Sequence, residues 1–100
     1  MAIYKTASFD VRPGLVTQAQ AWIVEFVDYI KGNEPETRLY VSLQKKTDST
    51  SFVHVMVFAD EAAEENHRSS GAVKRFTDEL YPLTVDGVKF VDYEEVASTQ

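Results

Sequence analysis

His54 and His67 are the only side chains in the sequence whose unperturbed pKa lies near neutrality, so proton transfer at neutral pH points to them first. His54 lies two residues before Met56 and four before Phe58, and in an extended run all three leave the same face. His67 follows Ala63 by four residues, which on a helix places it beside small side chains. A histidine held neutral in an apolar cavity can act as a base toward an acidic phenol or enol. Tyr40 and Tyr93 can point phenol groups into the same space, and Trp22 can supply a flat wall for an aromatic ligand. Each of these residue types also has a plain packing use. A core or rim histidine is satisfied by backbone or water, and buried aromatics most often fill the core.

Other chemistries lack their residues. Gly14, Gly32, Gly71 and Gly87 form neither a dinucleotide fingerprint nor a phosphate loop. There is no cysteine, and the two histidines show none of the short spacings of helical metal sites, so no metal is expected. No strand-to-helix serine elbow is present. The groups Glu61, Glu64, Glu65 and Asp92, Glu94, Glu95 are most simply solvated faces or strand ends. The expected cofactor set is therefore empty.

These residues need a scaffold, and 100 residues provide one domain, taken here as 1–100, that buries roughly two-thirds of its unfolded surface. An apolar share of 44% with 26% charged residues fits a globular chain and no membrane span. A net charge of −6 repels a phosphate backbone, so nucleic acid is not an expected partner. The opening residues lack the pattern of a secretion signal, and with the absent cysteines they suggest the cytoplasm.

Ile3 to Val11 is rich in β-branched and aromatic residues and stops at Arg12-Pro13-Gly14, which predicts a first strand. From Leu15 to Lys31 the apolar positions recur every three or four residues, predicting a helix that ends at Gly32 or Asn33 before Pro35. Thr37 to Gln44 and Ser51 to Phe58 form a hairpin across the polar stretch Lys45 to Thr50. One face of that hairpin is aliphatic, with Leu39, Val41, Leu43, Val53, Val55 and Val57. The other is bulky with polar tips. Asp60 is placed to cap a short helix from Glu61 to about Ser69, and Ser69 or Ser70 a second from Gly71 to Leu80. A turn at Asp86-Gly87 should then lead into a last strand, Val88 to Val96.

This order predicts an α+β, ferredoxin-like antiparallel sheet with the helices on one face. The aliphatic face is then left bare, and a homodimer formed sheet to sheet is its simplest cover.

Three stretches stand out together: Asn33-Glu34-Pro35-Glu36-Thr37 with Tyr40, then Phe52 to Phe58 running into Ala59-Asp60-Glu61-Ala62-Ala63, and finally His67 with Ser70. In these stretches the chain resembles the antibiotic biosynthesis monooxygenase superfamily of dimeric α+β barrels. The resemblance implies a barrel of two protomers, each with a cavity between sheet and helices. It also implies an oxygenase that works without flavin, haem or metal on an electron-rich phenol or quinol-type aromatic molecule and O2. In that reading His67 is the family-matched histidine and His54 a polar group in the cavity. Tyr40 and Tyr93 are donors, and Met56, Phe58 and Trp22 are walls. Haem-degrading relatives carry an asparagine on the first strand and a tryptophan on the third, and this chain has neither. A dimeric domain that merely binds a small molecule, or serves in stress, and an isomerase of the same fold remain the alternatives.

Overall fold

The computed structural model describes all residues, Met1–Gln100. Strand β1 (Ile3–Val11) leads to helix α1 (Val16–Asn33), then β2 (Thr37–Gln44), β3 (Ser51–Phe58), α2 (Glu61–Arg68), α3 (Gly71–Leu80), a single 3₁₀ turn (Tyr81–Leu83) and β4 (Thr84–Tyr93). The strands form one antiparallel sheet in the order β2-β3-β1-β4, the ferredoxin-like arrangement expected from the sequence.

Local chemistry explains most boundaries. Gly14 adopts φ +90°, a conformation that an L side chain resists, and so lets the chain reverse between β1 and α1. The Asp60 side chain accepts a hydrogen bond from the Ala63 amide and caps α2; Ser70 does the same for α3 through Ala72 and Val73. Helix α1 buries Ala19, Ile23, Phe26 and Ile30, a single stripe spaced at four, three and four residues. These pack with Phe9, Val11, Phe52, Phe76 and Leu80 into the main core, where Phe26 and Phe76 stack with ring centroids 4.0 Å apart. At about 1.5–3 kcal/mol for each fully buried large side chain, this cluster is the main source of cohesion between helices and sheet.

The sheet has two unlike faces because the hairpin pairs in the register that its alternation suggests. Tyr40 lies opposite Met56, Ser42 opposite His54 and Val41 opposite Val55. Phe52, His54, Met56 and Phe58 are buried beneath the helices. Val53, Val55 and Val57 lie half-exposed on the far face, beside the exposed Leu39, Leu43 and Val91.

The last strand departs from expectation. Asp86 and Gly87 have φ of 63° and 76°, but pairing with β1 continues on both sides of them, at Asp10–Val85 and at Ser8–Lys89. They form a bulge inside β4 instead of a turn before it, with Asp86, Gly87 and Val88 standing opposite Phe9 alone, so that two extra residues are absorbed without ending the ladder. The strand stops at Tyr93 instead of Val96 because its partner β1 begins near Tyr4, the residue opposite Tyr93. No helix is long and apolar enough to cross a membrane.

Candidate functional site

Between the sheet and the helices lies a cavity of about 70 Å³, lined mostly by apolar side chains. Its polar points come from two hydrogen-bonded couples, each built by different elements.

The first couple is Tyr40 and His54. Adjacent strands β2 and β3 bring the tyrosine oxygen within 2.8 Å of His54 Nδ1. The His54 ring is 2% exposed and sits edge-on to Phe9. Burial lowers its pKa from 6.5 to about 4, so it is neutral at physiological pH. Burial, reinforced by the nearby Glu34 carboxylate, raises the pKa of Tyr40, so the phenol keeps its proton. A phenol oxygen can both donate and accept, so the tautomer of His54 sets the direction of this bond. In the tautomer with its proton on Nε2, the Tyr40 O–H donates to Nδ1. That Nε2 is buried and has no hydrogen-bond partner in the chain.

The second couple is Glu34 and His67. Glu34 ends α1 just before Pro35, and α2 carries His67 across to it, so that Glu34 Oε1 and His67 Nδ1 are 2.8 Å apart. Thr37 Oγ1 donates to the same carboxylate oxygen at 2.8 Å. Glu34 is 5% exposed, and its Oε2 has no partner. The carboxylate accepts a proton from His67 Nδ1, which orients the ring and leaves Nε2 as the nitrogen free of Glu34. The His67 ring rests against Phe58, 5.1 Å between centroids, and against Tyr40 at 5.7 Å.

A buried imidazole with an unpartnered nitrogen and a second imidazole held by a carboxylate thus line one small apolar space. Together they can withdraw a proton from a phenol or enol and hold the resulting oxyanion by a hydrogen bond. No group of three or more His, Cys, Asp or Glu side chains is gathered as a metal site.

Of the residues singled out in the sequence, His54, His67, Tyr40 and Met56 line the cavity. Phe58 supports His67 from behind. Trp22 and Tyr93 are placed elsewhere. Trp22 lies in a shallow groove between α1 and α3 with Tyr29 and Arg75, because the turn of α1 aims Ile23 and Phe26 inward instead. Tyr93 pairs with Tyr4, 56% exposed, one residue out of phase with the strand positions that face the helices. Glu34 was not singled out for chemistry. Its only signal was membership of the Asn33-Glu34-Pro35 stretch, since a glutamate before a proline at a helix end ordinarily faces water. A larger groove of about 450 Å³ runs between α1 and the edge strand β2, but of the two couples it includes only Tyr40.

Comparison with known proteins agrees with this architecture. The family model described as antibiotic biosynthesis monooxygenase matches residues 2–79. Among curated proteins none matches significantly. Among solved structures, the chain is similar to Rv0793 from Mycobacterium tuberculosis, with 15% identity, 100% of each chain covered and a TM-score of 0.90. It is also similar to a proposed antibiotic biosynthesis monooxygenase from Bacteroides thetaiotaomicron, with 14% identity, 99% and 93% coverage of the two chains and a TM-score of 0.90. SnoaB, a cofactor-independent oxygenase from Streptomyces nogalater, shares 12% identity over 98% of this chain and 96% of its own, at a TM-score of 0.84. At these identities the structural likeness is one of fold. The family match over most of its length, together with that fold, makes this chain a member of the antibiotic biosynthesis monooxygenase family.

Proposed function

We propose that the chain is a cofactor-independent monooxygenase acting on an aromatic, quinol-type small molecule with O2. The supporting observation is that two histidines line one apolar cavity, His54 with its buried Nε2 unpartnered and His67 with its Nδ1 held by Glu34. His67 takes the phenolic or enolic proton, and Glu34 stabilises the imidazolium that results. His54 holds the oxyanion, kept in its donating tautomer by Tyr40. The electron-rich anion then passes an electron to O2, and the carbon radical and superoxide join as a hydroperoxide. Its O–O bond breaks with loss of water to leave a carbonyl, so that an activated CH2 of the substrate supplies all the electrons O2 takes.

An aromatic substrate is larger than the cavity, since drug-sized ligands occupy about 300–1,000 Å³. It must enter where the lining reaches the surface, at Tyr81 and Phe90, and displace side chains of α3 such as Phe76. The aliphatic far face of the sheet is covered in the same reading by a second copy, because a two-fold axis makes that patch its own complement.

Oxygen uptake with an added anthrone-type phenol or hydroquinone tests the proposal. Uptake by the wild type and its loss in His67→Ala is the expected result. Equal uptake in both removes His67 from the mechanism. The same two imidazoles serve a proton shift within a substrate equally well. Solvent deuterium incorporation without oxygen consumption therefore points to an isomerase. A particle of 11.3 kDa instead of twice that mass removes the dimer.

A further inference from the structure

The cavity contains one soft, oxidisable atom. Met56 is 4% exposed and lines the cavity beside His54, from which it is separated by one residue on β3. Alternate residues of a strand share a face and sit about 6.6 Å apart, so the thioether and the imidazole meet in the same small space. Most of the remaining wall is hydrocarbon, among it Ala7, Val73, Phe76 and Leu80, and none of its polar residues carries sulfur. The chain has no cysteine, and the only other methionine is the fully exposed Met1.

Size and polarity select the guest. At about 30 Å³ per molecule in the liquid, the cavity of about 70 Å³ holds two waters. Hydrogen peroxide, two oxygens joined, fits that space. An aromatic ring system does not fit it without displacing side chains. The unpartnered His54 Nε2–H favours a small acceptor there, because a buried donor left unmade costs about 1–3 kcal/mol.

We propose that Met56 is an oxidation site that the cavity directs hydrogen peroxide to, with His54 donating to the departing oxygen. The Met56 sulfur attacks one peroxide oxygen and the O–O bond breaks. The second oxygen leaves with the bonding pair, collects the remaining proton and departs as water. Sulfur is oxidised by two electrons and peroxide is reduced by two. The sulfoxide oxygen that remains is a strong acceptor for His54 Nε2–H and occupies the space where a substrate oxyanion would sit, so oxidation closes the site. Methionine sulfoxide reductases reverse such a lesion once the chain opens. Hydrogen peroxide reaches the cavity from outside, so neither its supply nor the chemistry at Met56 depends on the oxygenase function proposed above.

The test adds hydrogen peroxide alone to the folded wild-type protein and follows both methionines by peptide mass spectrometry. Met56 is expected to gain one oxygen at least as fast as exposed Met1. In His54→Phe, Met56 should slow by about tenfold, the worth of one hydrogen bond, while Met1 is unchanged. Exhaustive oxidation of Met1 with Met56 intact overturns the proposal, and equal Met56 rates in both proteins overturn the part given to His54. A second arm measures oxygen uptake with a hydroquinone. Oxidised Met56 without uptake defeats the oxygenase reading alone, and uptake with an inert Met56 defeats this inference alone.

Discussion

Acidification should weaken this fold through His54, and the size of the effect follows from its burial. The folded pKa is about 4 against 6.5 for a free histidine, so the neutral ring is the one the fold accepts. Between those values the unfolded chain binds a proton that the native chain refuses. Stability is therefore undiminished above about pH 6.5, declines as pH falls and stops declining near pH 4. At 1.36 kcal/mol per unit, the whole difference amounts to about 3 kcal/mol, of which about 2 kcal/mol is lost between pH 7 and pH 5. His54→Phe keeps a buried ring and removes the titration. It also leaves the Tyr40 hydroxyl without its acceptor, a cost that is the same at both pH values because the phenol stays protonated throughout. Urea unfolding of both proteins at the two pH values measures the effect. The wild type should lose about 2 kcal/mol more than the variant over that interval. Parallel losses would show that His54 titrates normally, and the assignment of its Nε2 as a permanent donor would fall with it.

Three further outcomes test other parts of the structure. Glu34→Gln keeps an acceptor for His67 Nδ1–H but removes the charge that stabilises the imidazolium. In the oxygen-uptake assay kcat should drop about a hundredfold with KM nearly unchanged. Gly14→Ala forces an alanine into φ +90° and should cost about 1–2 kcal/mol in urea unfolding, whereas Gly32→Ala, within α1 and with open space around it, should stabilise by about 0.5–1 kcal/mol. Phe76→Ala removes the ring stacked on Phe26 and a wall of the cavity. It should destabilise by about 3–5 kcal/mol and increase binding of an aromatic ligand, as read by calorimetry.

Local signals carried much of this protein. Periodicity, caps and the Pro35 stop gave the elements from β1 to α3 with their limits, since each depends on residues within a few positions. Alternation placed His54 and Met56 on one face of β3, because the side-chain period of a strand is two, whereas the side on which Tyr40 lies was decided by its pairing opposite Met56. The Asp86-Gly87 pair shows the limit of such signals. Positive φ was legible there, but whether it ends a strand or bulges within one depends on β1 lying alongside.

The chemistry of the site was decided at long range. Sequence supplied two histidines without saying what each would touch. Glu34 became a buried partner only because α2 returns over the end of α1, 33 residues later in the chain. Tyr93 and Trp22 went to other surfaces for a comparable reason, the rotation of a strand or helix being fixed by what it packs against. Residue types fix which protons can move near neutral pH. The contacts between distant segments fix which nitrogen holds the proton and which is left free, because those partners and their burial set the tautomer.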